Sequence, residues 1–262
     1  MGFVLEKFGH VLARYLQKPS LGYGSGSGSP TDPEKLRKTL MPGDVLLVEG
    51  NERISVAIKY LTQSTWSHAA VYIGTRLDPD SAKDPRCLVE ADLSTGVIAV
   101  PLSKYAGFRT RICRPVGLGA EDIEKLVTFL VNRLGMKYDM KNAIDLLRYL
   151  LPEPPVPMRW RRRMLALGSG DPTRAICSTL IAQAFQSVQY PILPDIHVKE
   201  NCETGDCVAE EILHIRHHSL FAPRDFDLSP YFQIVKPTVE AGFDYKALRW
   251  HEENDSKEEK LF

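Results

Sequence analysis

The run TWSHAAVYIG, Thr65 to Gly74, is small and branched apolar sequence after its fourth residue and stops on a glycine, which is the pattern of a buried strand. Its single ionisable side chain, His68, opens the strand. Taken alone, such a histidine reads as a hydrogen-bonded core residue. Held rigidly at the edge of a sheet, the same imidazole is also a candidate base.

The flanking segments extend the pattern. PGDVLLVEG (Pro42 to Gly50) is a short apolar run bounded by turn residues and predicts a strand, with Asp44 as a structural turn residue at its start. Ile54, Ala57, Ile58 and Leu61 then follow the i, i+3, i+4, i+7 spacing of a helix packed by one face. RCLVEAD, GVIAVPL and FRTRICRP are three further strand-like segments, spaced closely enough to predict an antiparallel meander. From Ala120 the period changes: Ile123, Leu126, Val127, Leu130, Val131 and Leu134 predict an amphipathic helix stopped by Gly135. YDMKNAIDLLRYLL predicts a second helix, cut off by PEPPVP, and DPTRAICSTLIAQAFQSV a third. YFQIVK reads as a last strand, and FAPRDFDLSPYF, after His218, as an extended segment closing over the core.

Four segments follow: residues 1–19, an amphipathic helix with a basic polar face; 20–31, a flexible Gly/Ser linker; 32–250, a globular α+β domain; and 251–262, a charged tail expected to be disordered. The first helix has two readings, docked on its own domain or lying on a membrane surface.

Composition narrows the function. With 33 basic and 33 acidic side chains in 262 residues, no global field recruits nucleic acid, and no nucleic-acid motif is present. One basic cluster, MRWRRRM, holds Arg159, Arg161, Arg162 and Arg163; a solvated loop is the plain reading, anion or membrane contact the sharper one. Five scattered cysteines argue against a disulfide scaffold and for a reducing compartment. No signal peptide and no run of about 18 apolar residues are visible, so the expected location is cytoplasmic, with peripheral attachment to the inner membrane through residues 1–19 as an option. Cys202, Cys207, His214 and His217 have the spacing C-x4-C and H-x2-H, whose histidines stand closer than in common zinc fingers. A surface loop is the preferred reading there, and neither metal nor cofactor is expected.

Cys177 has the most distinctive setting of the five cysteines. Asp171, Pro172 and Thr173 are helix-start signals that put it in or near a first turn, where the helix dipole favours a thiolate and free N–H groups can hold an oxyanion. The competing reading is a small buried hydrophobe. A nucleophilic thiol needs a base, and His68 is the best placed of seven histidines. Glu90, in the segment expected to pair with the His68 strand, could fix the imidazole tautomer, or be an ordinary surface glutamate.

PGDVLLVEG, SHAAVYIG, VEADLSTGVIAVPL, GMKYD and ICSTLIAQAF together resemble the blocks of the NlpC-type papain-like cysteine hydrolases. Here the strand blocks precede the nucleophile block, an order similar to the circularly permuted YaeF/YiiX/YebB-like branch, whose members are also called lipo-like proteins. The resemblance covers roughly residues 40–188 and implies a permuted papain-like α+β fold, with Cys177 as nucleophile, His68 as base and Glu90 as orienting residue. It further implies that Tyr138 in GMKYD helps the oxyanion or closes the pocket, with Ser67, Trp66 and Ser178 shaping that region. Lys137 replaces the usual proline and Ile176 the usual aspartate, which argues against carrying over bacterial cell-wall peptides as substrate.

The expected function is a thiol-dependent hydrolase, amidase, peptidase or lipid acyl hydrolase, acting on an amide- or ester-containing acyl substrate, with a lipid-like one as an option. Two alternatives stand beside it: an acyltransferase using the same triad, and a non-catalytic lipid-binding or membrane-associated module that keeps the fold.

Overall fold

A computed structural model describes residues 18, 30–78, 83–92, 95–137, 176–201, 208–214 and 217–247. The expected first helix, most of the linker, the helix predicted from Tyr138 onward and the charged tail lie outside the described residues.

The chain enters through α1 (Pro33–Thr39). Asp32 caps it by accepting from the Glu34 N–H at 2.9 Å and the Lys35 N–H at 3.3 Å, and Pro33 takes the first helical position, where no N–H is needed. Next come β1 (Val45–Val48), α2 (Arg53–Thr62), β2 (His68–Tyr72), β3 (Arg86–Asp92), β4 (Gly96–Pro101), a 3-10 turn at Leu102–Tyr105 and β5 (Thr110–Pro115). Then follow α3 (Ala120–Val131), α4 (Ile176–Ser187), the hairpin β6 (Asp195–Asn201) and β7 (Val208–His214), α5 (Pro223–Leu228), β8 (Phe232–Val235) and α6 (Pro237–Glu240).

Six strands form one antiparallel sheet in the order β4-β3-β2-β1-β5-β8. The meander expected from sequence covers β1 to β4 only. β5 leaves it: the 3-10 turn reverses the chain, and β5 crosses back to pair with the open side of β1. A bidentate ion pair fixes that crossing, Arg114 donating from Nε and Nη2 to the two oxygens of buried Asp44 at 2.8 and 2.7 Å, while the Met41 N–H donates to the same carboxylate. Asp44 is therefore the structural turn residue the PGD motif suggested.

Both faces of the sheet are covered. α3, α4 and the Phe221, Phe226 and Phe232 side chains pack with Val45, Leu47, Ala69 and Val71 on one side. Leu36 and Leu40 of the first helical segment and Tyr105 of the 3-10 turn pack with Leu46, Val48, Ala70 and Leu88 on the other. Double coverage explains why β1 reads VLLV without alternation, since each of its residues is buried.

Three other expectations change. α3 ends at Val131, because the following turn tightens to the i→i+3 bonds Arg133 N–H to Leu130 and Leu134 N–H to Val131, and Gly135 N–H is spent on the Val97 carbonyl of β4. His214, expected in a surface loop, lies on the β6–β7 hairpin, where DIHVKEN and VAEEILH pair over their full lengths. The FAPRDFDLSPYF segment is not extended: Pro223 starts a helix whose Ala222 N–H is capped by Asp225 at 2.8 Å, and this helix turns Phe226 into the core.

Gly96 opens β4 at φ +84°, and a Cβ there would stand 2.2 Å from the Met136 carbonyl oxygen. Gly96→Ala should therefore lower the unfolding free energy by about 3 kcal/mol or more, read as the midpoint of a urea titration; an unchanged midpoint would mean that the 135–136 turn is not clamped onto β4.

Candidate active site

His68 is placed by the end of a ladder. The β1–β2 register sets it opposite Val48, and the preceding Ser67 N–H donates to the Val48 carbonyl, so the imidazole leaves the sheet at a defined point between β1 and β3. On β3, Glu90 brings Oε2 to 3.2 Å from His68 Nε2. The Glu90 side chain is 1% exposed, so burial opposes its charge. Three donors answer: His68, the Tyr105 hydroxyl on the same Oε2, and the Lys104 ammonium on Oε1. The hydrogen bonds and charges of His68 and Lys104 overcome burial and hold the carboxyl at about 2. Tyr105 is itself buried, and burial beside Glu90 pushes its phenol well above the ordinary range, so it remains a donor.

Cys177 comes from the other side. It is the second residue of α4, which packs on β2 and β3, and its buried thiol is hydrogen-bonded to the His68 ring. With Nε2 facing Glu90, Nδ1 is the ring atom left for the sulfur. The Ala69 backbone N–H also reaches the sulfur, and Ser178 Oγ lies 3.9 Å from it. Burial raises a thiol, but the charge of His68 and these hydrogen bonds override it and bring Cys177 below its usual value. Burial likewise disfavours an imidazolium, yet the Cys177 thiolate and Glu90 push His68 up to about 10. Both shifts favour a thiolate–imidazolium pair. Cys87 and Cys113, both buried without such a partner, are pushed the other way.

The structure thus brings His68, Glu90 and Cys177 into one line. Ser67 is close in sequence but its hydroxyl accepts the Gly50 N–H at 2.9 Å, bracing the loop after β1. Trp66 is a core residue whose indole N–H donates to Asp227 at 3.1 Å. Tyr138 and the arginines at 159, 161, 162 and 163 lie outside the described residues, as do Cys202 and Cys207. Among the described residues no cluster of three or more metal-ligating side chains occurs, and no helix is long and apolar enough to cross a membrane.

Lys104 and Tyr105 escaped the sequence reading. Their signal is indirect: a carboxylate on a strand buried on both faces demands donors, and the turn after β4 returns the chain toward β3. Glu52, half-buried just before α2, is a further titratable neighbour. Burial raises its carboxyl, while His68 and Lys104 pull it back down.

Residues 39–148 match the family described as permuted papain-like amidase enzyme, YaeF/YiiX, C92 family. The matched segment holds His68, Glu90, Lys104 and Tyr105 and ends before Cys177. Among solved structures, the chain is similar to the metalloprotein yiiX from Escherichia coli O157:H7, at 18% identity and a TM-score of 0.41, over 75% of this chain and 96% of that one. No curated protein matches.

Alkylation by iodoacetate, an anion drawn to the imidazolium, should follow a bell-shaped pH profile: it rises as Cys177 ionises below its ordinary value and falls as His68 loses its proton near about 10. Glu90→Gln removes the charge that supports the imidazolium and should move the alkaline limb down by about one pH unit or more; Lys104→Gln removes an opposing cation and should move it up. A shift of both variants in the same direction would refute this charge arrangement.

Proposed function

On the premise that residues 39–148 are those of a permuted papain-like amidase, we propose that the protein is a cysteine hydrolase that cleaves an amide or ester of an acyl substrate through Cys177, His68 and Glu90. The observation that carries this reading is the buried chain of thiol, imidazole and carboxylate, with each partner shifted toward its charged form.

The Cys177 thiolate adds to the acyl carbonyl carbon, and the carbonyl π electrons move onto oxygen, within reach of the backbone N–H groups at the start of α4. Collapse of the tetrahedral intermediate breaks the C–N or C–O bond, and His68 gives its proton to the leaving amine or alcohol. A thioester remains. Water then attacks it, His68 takes the water's proton, and the C–S bond breaks to release the acid and restore the ion pair. Glu90 keeps Nε2 protonated and the ring turned toward the sulfur throughout, while Lys104 and Tyr105 hold Glu90. If an alcohol or amine replaces water in the second half, the same residues perform acyl transfer. Peripheral membrane contact through residues 1–19, a cytoplasmic location and a lipid-like acyl group belong to this reading as its biological setting.

Two measurements test it. Iodoacetamide at mildly acidic pH should modify Cys177 at least about tenfold faster than Cys87 or Cys113, an advantage that His68→Asn abolishes. Cys177→Ser protein purified from cells should carry an acyl ester on the introduced hydroxyl, and its mass identifies the acyl group. Equal reactivity of the three thiols would end the proposal.

A further inference from the structure

A cleft of about 520 Å³ opens at the end of the sheet where β1 finishes and β2 and β5 begin. That volume lies within the range of small-molecule sites. Its charged lining is unbalanced: Lys59, Arg109, Arg111 and Arg224 stand around only two carboxylates, Glu49 and Asp227.

The two carboxylates are already engaged. Asp227 receives Arg111 Nη1 at 2.6 and 2.8 Å on its two oxygens and the Trp66 indole N–H at 3.1 Å. Glu49 is shared between Arg109 at 3.5 Å and Lys59 at 3.8 Å, both long contacts. Arg224 donates to a neutral acceptor, the Thr62 carbonyl. The guanidinium carbons of Arg111 and Arg109 lie 4.9 and 5.9 Å from the centroid of the buried Trp66 ring, which keeps both forks in place against the wall. At the rim, Gln63 caps the end of α2 in the left-handed conformation at φ +50°.

We propose that this cleft binds a phosphomonoester or phosphate ion. Four cations against two carboxylates leave an excess of two positive charges, which a dianion neutralises and a carboxylate only halves; a phosphomonoester carries about −1.5 to −2 at neutral pH. Guanidinium forks suit the tetrahedral array of phosphate oxygens, each fork taking two of them. The site is separate from the cysteine chemistry and goes beyond the hydrolase reading. Because Trp66 lies two residues before His68, a ligand held there sits beside the strand that carries the imidazole.

The test is calorimetric titration of the full chain as Cys177→Ala, at low ionic strength, with inorganic phosphate and with glycerol 3-phosphate. The absence of the thiol makes the outcome independent of whether the chain hydrolyses anything. Saturable binding of either probe, weakened about tenfold or more by Arg109→Gln or Arg224→Gln, supports the site. Tighter binding of glycerol 3-phosphate assigns it to the ester, and tighter binding of phosphate assigns it to the free ion. Two variants are used because Arg224 also braces the end of α2, and each is compared with its parent by thermal unfolding. No saturable binding of either probe, or affinities that neither substitution changes in folded protein, overturns the proposal.

Discussion

A carboxylate buried to 1% exposure is the constraint around which this molecule is organised. Taking Glu90 out of water costs several kcal/mol unless charge and hydrogen bonds replace its hydration. The replacements arrive from separate places: His68 from the neighbouring strand, Lys104 and Tyr105 from the turn beyond β4. Each can reach Glu90 only if the β2–β3–β4 pairing is in register. A slip of one residue would turn the carboxylate to the opposite face and strand it without donors. The sheet and the candidate site therefore specify one another.

The second requirement is close approach of α4. Ala69 gives β2 a low profile on the face that α4 covers, and Ala182 and Ala184 do the same for the helix, so that the backbone near Ala69 comes within reach of the Cys177 sulfur. Larger residues at these positions would lift the helix from the sheet. Phe185, Phe226 and Phe232 fill the wider space farther along, with ring centroids 5.1 to 6.3 Å apart in edge and tilted arrangements.

Much of this is legible in the sequence. Strand and helix periods located β1 to β5, β8 and the helices α2, α3 and α4, because an apolar run between turn residues has few other uses. Cys177 and His68 were legible by type and position, and Glu90 by the expected pairing of its strand. The crossing of β5 was not, since tight spacing fits either a continued meander or a return to β1, and the deciding contact is the long-range pair of Asp44 with Arg114. The β6–β7 hairpin was missed because its charged residues mask the alternation. Lys104 and Tyr105 were invisible for a different reason: they act on Glu90 rather than on any reacting atom, and nothing in SKYAG marks a residue whose partner is a buried anion 14 or 15 positions away.

Cys177 follows His68 by 109 residues, and the contact that favours charge on both exists only when α4 has docked on β2 and β3. As the chain emerges during synthesis, the imidazole, its carboxylate and five of the six strands of the sheet precede the sulfur. Until the last of these elements closes, Cys177 is an ordinary thiol, mostly protonated at neutral pH and slow to react. The order of the chain thus acts as a safety interlock: of the three site residues the thiol is delivered last, and it gains its reactive setting only when α4 has docked against the strands that confine it.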